Sequence, residues 1–357
     1  MARANRHAVI IWSSDWSEST GQAIVTRRVL EHQTGIDWIH ACYGQSGLRS
    51  VIGIFKAVTR TYRTLFTGSA RTIYLVCSRS TLGFLRDIPA LAASLMGVRV
   101  VVHVHGSNII KLLSSSPLAF IARKLYNRCE LVVPSGHLIA PLQAQCRSTI
   151  HLCENFVARA SMGDDDTVNL RDTGPVIVWN SNIMASKGFF DVAEAVRLAR
   201  AEQPDLRLVA LGHPLQDTEM TAKAARTALD ALRREDWFIH VGPVPVEAAF
   251  RWTAKTDVMV FPSRHQSECQ PLAVIQAMCL GRPLVLSDTA ALRATTRDYP
   301  ATLLTNPSIA GLAQAMLKAL RRGTPSNLAD KAVQSQARFS TQRFDRAITA
   351  IIGGGAS

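Results

Sequence analysis

The 357-residue sequence contains no stretch of about 18 apolar residues free of charge, which excludes a hydropathy-type transmembrane helix. It has no close Cys-x-x-Cys pair. Its seven cysteines, Cys42, Cys77, Cys129, Cys146, Cys153, Cys269 and Cys279, are scattered and odd in number. That usage speaks against a disulfide framework or a zinc site and for buried free thiols. No internal repeat or low-complexity tract is visible, and the terminal GGGAS reads as a frayed tail. No secretory leader is legible: the apolar run Ala8–Trp12 is followed at once by Asp15 and Glu18, the pattern of a first strand. The expectation is a cytoplasmic chain.

What is present is apolar content and positive charge. Hydrophobic residues make up 47% of a chain whose length suits two domains with two cores. The formal net charge is +13 and is unevenly placed. Residues 1–160 hold 18 Lys and Arg against 7 Asp and Glu, whereas residues 161–357 hold 22 against 20. Such asymmetry bears on partners: nucleic acid, an anionic membrane surface or a phosphorylated lipid. The basic residues lack interleaved aromatics, and no helix-turn-helix, RRM or KH signature is present, so no nucleic-acid partner is expected.

Strand-length apolar runs alternate with helical stretches throughout. In the first half they are Ala8–Trp12, Asp37–Tyr43, Thr72–Cys77, Arg99–His105, Glu130–Pro134 and Thr149–Asn155. In the second half they are Pro175–Asn180, Leu206–Gly212, Phe238–Gly242, Asp257–Pro262, Pro283–Ser287 and Thr302–Leu304. Near-continuous runs such as VRVVVHVH fit strands covered on both faces, as in a parallel sheet. Helices are expected between them, for example Asp191–Ala201, Thr221–Arg234 and Glu247–Lys255. Two successive series of this kind predict two doubly wound α/β domains. The polar stretch Ala158–Thr173, with Asp164, Asp165 and Asp166, is the expected linker. The domains are then residues 1–160 and 174–340, with a helix and tail over 341–357.

Two segments of the second half suggest chemistry. Val176–Gly188, VIVWNSNIMASKG, is a strand, a small polar loop and a Lys-Gly that opens a helix. In a doubly wound sheet ligands bind beyond the C-terminal strand ends. A helix N-terminus there offers free N–H groups to a phosphate, and Lys187 adds a full charge. A lysine near a helix start is also commonly just solvated. The second segment, Asp257–Asp288, reads strand, loop, helix, Gly-x-Pro turn and strand. Glu268 stands in the loop before the helix, as a ligand or as a cap. Pro271 suits the first helical position. Gln276 lies eight residues after Glu268 on the helix.

The chain resembles the retaining glycosyltransferases of family 4, whose fold is GT-B. The resemblance rests on SESTGQAIV after the first strand, HVHGSN after a buried strand, SNIMASKG, and a PSxxxxE…AMxxGxP segment. It spans nearly the whole chain. It implies two Rossmann-like domains facing across a cleft, with the C-terminal helix packing back on the N-terminal domain. It implies transfer of a hexosyl group such as mannosyl from a nucleotide diphosphate sugar, without a cofactor or catalytic metal. The acceptor would be a saccharide or a polyprenyl-diphosphate-linked saccharide in polysaccharide biosynthesis.

Residue roles follow from the resemblance. Lys187 would hold the donor diphosphate. Glu268 and the backbone N–H groups of the stretch Cys269 to Leu272, which includes Gln270 and Pro271, would hold the sugar. Gln276 would meet the ribose, His105 the reacting centre, and Gly21 would let the first loop approach the phosphate. Charge building on the leaving phosphate would be met by a cation and oriented N–H groups. Two departures weaken the charge of the site. Gln276 replaces a second Glu, and Asn182 replaces an Arg five residues before Lys187. Arg264 is the candidate substitute cation.

In the first half, Arg49–Phe66 drawn as a helix places Arg49, Lys56, Arg60 and Arg63 on one face. Val51, Phe55, Val58, Tyr62 and Leu65 fall on the other. Such a helix can lie at an anionic membrane, or its apolar face can pack on the sheet. Arg123 and Lys124 in Ala119–Arg128 add to the basic surface. A peripheral place at the inner face of the cytoplasmic membrane would suit a lipid-linked acceptor. His103 and His105 share a strand face; His103 reads as a core residue and His105 as a functional one. Two other readings stay open: a catalytically silent relative acting as a partner subunit, and a nucleotide-sugar epimerase of the same fold.

Overall fold

The computed structural model describes residues 7–14, 21–32, 36–43, 47–78, 80–158 and 174–354. The expected linker therefore lies, but for Ala158, outside the described residues. Two compact units emerge: Met1–Asn155 with Gln266–Cys269 and Gln342–Ser357, and Phe156–His265 with Gln270–Thr341. Both are α/β with parallel sheets, as the alternation of apolar runs and helical stretches anticipated.

In the first unit the elements are β1 (His7–Ser14), α1 (Gly21–His32), β2 (Ile36–Tyr43), α2 (Gly47–Phe66), β3 (Thr72–Val76), α3 (Thr81–Ala92), β4 (Arg99–His103), α4 (Asn108–Ser114), α5 (Ala119–Tyr126), β5 (Glu130–Val133), α6 (Ile139–Gln143) and β6 (Thr149–Leu152). All six strands pair in parallel, in the order β2-β1-β3-β4-β5-β6. The chain reverses direction across the sheet between β1 and β3, which puts the ligand crevice of this topology beyond those strand ends. One sheet face contributes Ile10, Trp12, Ile73, Leu75, Val100 and Val102 to a core closed by Ala57, Phe84, Leu91, Ala122 and Tyr126. Helices α2, α3 and α5 therefore cover the same face. The alternate residues Val9, Ile11, Tyr74, Val101 and Val132 are equally buried, so the strands are covered on both sides.

In the second unit follow β7 (Val176–Asn180), α7 (Phe189–Ala199), β8 (Arg207–Leu211), α8 (Ala222–Leu232), β9 (Phe238–Gly242), α9 (Val246–Thr253), β10 (Met259–Phe261), α10 (Leu272–Cys279), β11 (Leu284–Ser287), α11 (Ala290–Thr296), β12 (Thr302–Leu304), α12 (Ile309–Arg322) and α13 (Asn327–Arg338). The ladders β7-β8-β9 and β10-β11-β12 meet where the Asp257 N–H donates to Val176 O at 2.8 Å. The strand series thus reverses between β7 and β10. Helix starts carry the side-chain caps that the sequence supplies: Thr221 Oγ1, Thr289 Oγ1 and Ser308 Oγ accept from the N–H three residues on, each contributing about 1 kcal/mol.

The last helix, α14 (Thr341–Gly353), belongs almost wholly to the first unit. Arg28 on α1 pairs with Asp345 at 2.5 Å. Arg99 grips Glu130 with two nitrogens and donates to the carbonyls of Ile351 and Ile352 at 2.5 and 2.7 Å. A guanidinium at the C-terminal carbonyls of a helix satisfies orphan acceptors and complements the helix dipole. Among the described residues no helix is long and apolar enough to cross a membrane. All seven cysteines are free thiols.

Candidate active site

The segments after β7 and β10 are brought together by a glycine. Gly188 has φ of 85°, and a Cβ there would stand 2.6 Å from Pro262 Cγ and 2.8 Å from Pro262 O. Only glycine lets the chain adopt this left-handed turn while pressed on the segment that follows β10. Arg264 N–H then donates to Ser186 O at 2.9 Å, joining the two loops. Lys187 and the start of α7 thereby sit at the point where the strand order reverses, the place where this topology binds ligands.

Lys187 is half-buried and its ammonium donates to Ser181 Oγ at 3.0 Å, 6.0 Å from the centre of the Phe261 ring. Phe261 stacks on Trp179 with centroids 5.5 Å apart, so the Lys187 ammonium lies over an aromatic floor. Asn182 faces elsewhere. Its Oδ1 is 3.5 Å from the His213 N–H, in a loop that is registered by Ile183 N–H to His213 O at 2.8 Å. It thus belongs to the contact between the loops after β7 and β8.

Arg264 does not supply an uncommitted cation. Its guanidinium pairs with Asp191 in the first turn of α7 and, at 2.7 Å, with Glu219. The hydrogen bonds with Glu219, then those with Asp191, hold its pKa above the ordinary value. Two carboxylates already neutralise the charge expected to serve the diphosphate. Beside them lies a network that the sequence reading missed. Ser186 Oγ and His265 Nδ1 are 2.9 Å apart, and the Ser186 N–H donates to Asp217 Oδ2 at 2.8 Å. Partial burial pushes the Asp217 carboxyl up, but the N–H groups of Ser186, Glu219 and Met220 outweigh it and hold the pKa below the ordinary value. No local pattern joins Asp217 or His265 to Ser186, because they are 31 and 79 residues from it.

Pro271 caps α10 instead of opening it: its ψ of 123° is extended, and Leu272 is the first helical residue. The shift by one position reflects that the ring fixes φ but leaves ψ open. Gln270 and Gln276 are both buried, at 5% and 4% exposure. Gln276 Oε1 accepts from Asn180 Nδ2 at 2.5 Å, and that amide also donates to Thr253 Oγ1 at 2.9 Å. The acceptor end of Gln276 is therefore spent on joining α10 to β7.

Four residues inside this stretch, Gln266–Cys269, pack with the first unit. Ser107 donates its hydroxyl to Gln266 O, and Cys269 is part of the first unit's core. Glu268, half-buried, thus shares a unit with His105, while Lys187, Asn182, Arg264, Gln270, Pro271, Leu272 and Gln276 belong to the other. His105 follows β4, its ring centroid 4.2 Å from that of His103. His103 has no exposed surface, and its Nδ1 is hydrogen-bonded to the Tyr74 hydroxyl. Burial pushes its pKa down to about 3, so it stays neutral and presents an uncharged ring to His105. Gly21 is the exposed first residue of α1, and the rest of its expected loop, residues 15–20, lies outside the described residues.

Residues 174–322 match the family model described as Glycosyl transferases group 1. The matched segment is that of a glycosyltransferase. It contains β7 to α12, with every second-unit residue named above. No curated protein matches the chain in sequence. Among solved structures, sucrose-phosphate synthase from Thermosynechococcus elongatus is similar at a TM-score of 0.76 and 15% identity, covering 98% of this chain and 99% of that one. HepE from Anabaena in complex with UDP and glucose is similar at 0.74 and 14%, covering 97% and 99%. A UDP-forming α,α-trehalose-phosphate synthase from Burkholderia vietnamiensis gives 0.70 and 11%, covering 98% and 100%. At these identities the likeness shows the fold, and it is the GT-B fold over the whole length of the chain.

Proposed function

We propose that the chain is a retaining, metal-independent hexosyltransferase of glycosyltransferase family 4, acting in polysaccharide biosynthesis. It moves a sugar from a nucleotide diphosphate donor to a saccharide or polyprenyl-diphosphate-linked acceptor, from a peripheral position at the inner face of the cytoplasmic membrane. The observation that carries the reading is Lys187: a half-buried cation on an aromatic floor, beside the N-terminus of α7, at the strand-order reversal of the segment that matches a glycosyltransferase family.

In this reading the diphosphate lies against Lys187 and the N-terminus of α7, which stabilise the charge that builds as the nucleoside diphosphate departs. With Asn182 turned to His213 and Arg264 neutralised by Asp191 and Glu219, Lys187 carries most of that stabilisation. Glu268 holds sugar hydroxyls and His105 serves the reacting centre. HepE has been captured with UDP-glucose, so UDP-glucose is the first donor to test, beside a mannosyl donor. A thermal-shift screen of nucleotide sugars identifies the donor, because a ligand that binds only the native state raises its stability. Lys187→Ala should then lower kcat/KM by about 100- to 1000-fold, the loss of one charged transition-state contact. A variant that keeps more than half the activity would place the diphosphate elsewhere.

A further inference from the structure

Helix α2 does not divide into the two faces that a helical wheel suggests. Its packed side is Ile54, Ala57, Val58, Thr61 and Leu65, spaced three and four residues apart. Val51 and Phe55, which the wheel places on one apolar face with Val58, Tyr62 and Leu65, are 62% and 73% exposed. The outward stripe therefore runs Ile52, Phe55, Lys56, Arg60, Arg63 and Phe66, with apolar side chains at both ends and cations between. The side chain of Arg49, in the first turn, lies outside the described residues.

The pattern continues on the neighbouring helices. α3 and α5 lie over the same sheet face as α2, and Tyr62 of α2 donates to Pro89 O of α3 at 3.0 Å. Leu82 on α3 and Phe120 on α5 are 75% and 74% exposed. Eight of the fifteen large apolar side chains that are exposed among the described residues lie on α2, α3 and α5. Single exposed apolar residues need no explanation, but such a concentration on one helical layer does.

Charge decides what could cover it. Residues 47–129 contain twelve Lys and Arg and a single acid, Asp87, which has no exposed surface. No carboxylate of α2, α3 or α5 therefore reaches solvent. Lys56, Arg60, Arg63 and Lys124 are exposed and take part in no ion pair among the described residues. In the second unit, by contrast, Arg197, Arg233, Arg293 and Arg321 each have a carboxylate partner. A second copy of this surface would bring like charge against like. A polyanion without an apolar phase would leave Phe55, Phe66, Leu82 and Phe120 in water.

We propose that the outer face of the α2, α3 and α5 layer docks on an anionic lipid bilayer. The bulky side chains enter the interfacial region while Lys56, Arg60, Arg63 and Lys124 meet the lipid phosphates. Helix α2, about 30 Å long, lies in the plane of the membrane. This deepens the peripheral placement proposed above and depends only on the first unit, not on the donor reading.

Cosedimentation of the full chain with vesicles tests it, using phosphatidylcholine alone or with about one third phosphatidylglycerol. Binding should require the anionic lipid and weaken with salt. Each Lys or Arg at an anionic leaflet strengthens partitioning about fivefold, so K56E/R60E/R63E should bind at least about 100-fold more weakly. F55S/F66S should lose about tenfold or more on the same vesicles with all charges intact. Both substitutions sit on exposed positions, and an unchanged melting temperature verifies that the variants are folded. Equal binding to neutral and anionic vesicles, or none to either, overturns the inference. So does vesicle-free self-association that F55S/F66S abolishes, which would assign the face to a second copy. A nucleotide sugar that fails to raise the melting temperature would overturn the donor reading while leaving the vesicle result standing.

Discussion

Asp87 allows a prediction whose size follows from its surroundings. It lies on α3 without exposed surface, yet accepts from Trp12 Nε1 at 3.3 Å, Tyr43 Oη at 3.1 Å and the Ser78 N–H at 2.9 Å. Those groups come from β1, from the end of β2 and from just beyond β3, so one carboxyl ties together the strand ends around the first unit's crevice. Burial pushes its pKa up to about 6, against an ordinary 3.8, and the hydrogen bonds from Ser78, Tyr43 and Trp12 pull it down without cancelling the burial. The folded protein then holds a proton that the unfolded chain has already released. Stability from this group is complete below pH 3.8 and is lost as pH rises through about 6. About two pKa units correspond to about 3 kcal/mol. Urea unfolding of the wild type and of Asp87→Asn, followed by fluorescence from pH 4 to 7.5, isolates this contribution. The stability difference between the two should shift against the wild type by about 3 kcal/mol up to pH 6.5 and then level off. A difference that is constant, or that moves the other way, would refute the linkage.

Gly188→Ala should destabilise the second unit by about 2–4 kcal/mol, because the new Cβ meets Pro262 in a left-handed turn; calorimetry should show the melting temperature fall by several degrees. Gln276→Leu removes one of the two acceptors of the Asn180 amide and should cost about 1–2 kcal/mol in urea unfolding. Glu268→Ala should lower turnover by orders of magnitude with little change in melting temperature; near-normal rates would remove Glu268 from the sugar site. Arg264→Ala should lower donor affinity far less than Lys187→Ala, measured by calorimetric titration, since its charge is already matched by Asp191 and Glu219.

Much of the fold was legible because strands buried on both faces need near-continuous Val, Ile and Leu, and helices between them need apolar spacing of three and four. Runs such as Arg99–His103 and Val176–Asn180 therefore declare themselves within a residue or two. The turn at Gly188 was legible too, since a Lys-Gly after a strand in this alternation marks the opening of a helix. Features that depend on distant partners were not. The Ser186–His265 and Ser186–Asp217 contacts, the capture of Asn180 by Gln276 and the double pairing of Arg264 join residues 31 to 96 positions apart. The wheel for α2 failed for a related reason. Helical spacing gives the angles between side chains but not which angle the sheet covers, and here the sheet takes the side of Ala57 and Thr61.

The sequence by itself determined the α/β class, the order of strands and helices, the lopsided charge and the glycine that turns the chain into α7. These depend on local backbone preference, apolar spacing and composition, which act over a few residues. Only the tertiary structure decided that β7 stands beside β10, that Gln266–Cys269 joins the first unit, that Arg264 is neutralised, and that Phe55 and Phe66 face outward among cations. Each of those outcomes is set by which surfaces meet across long chain separations, where burial and ion pairing choose among arrangements that local sequence leaves equally available.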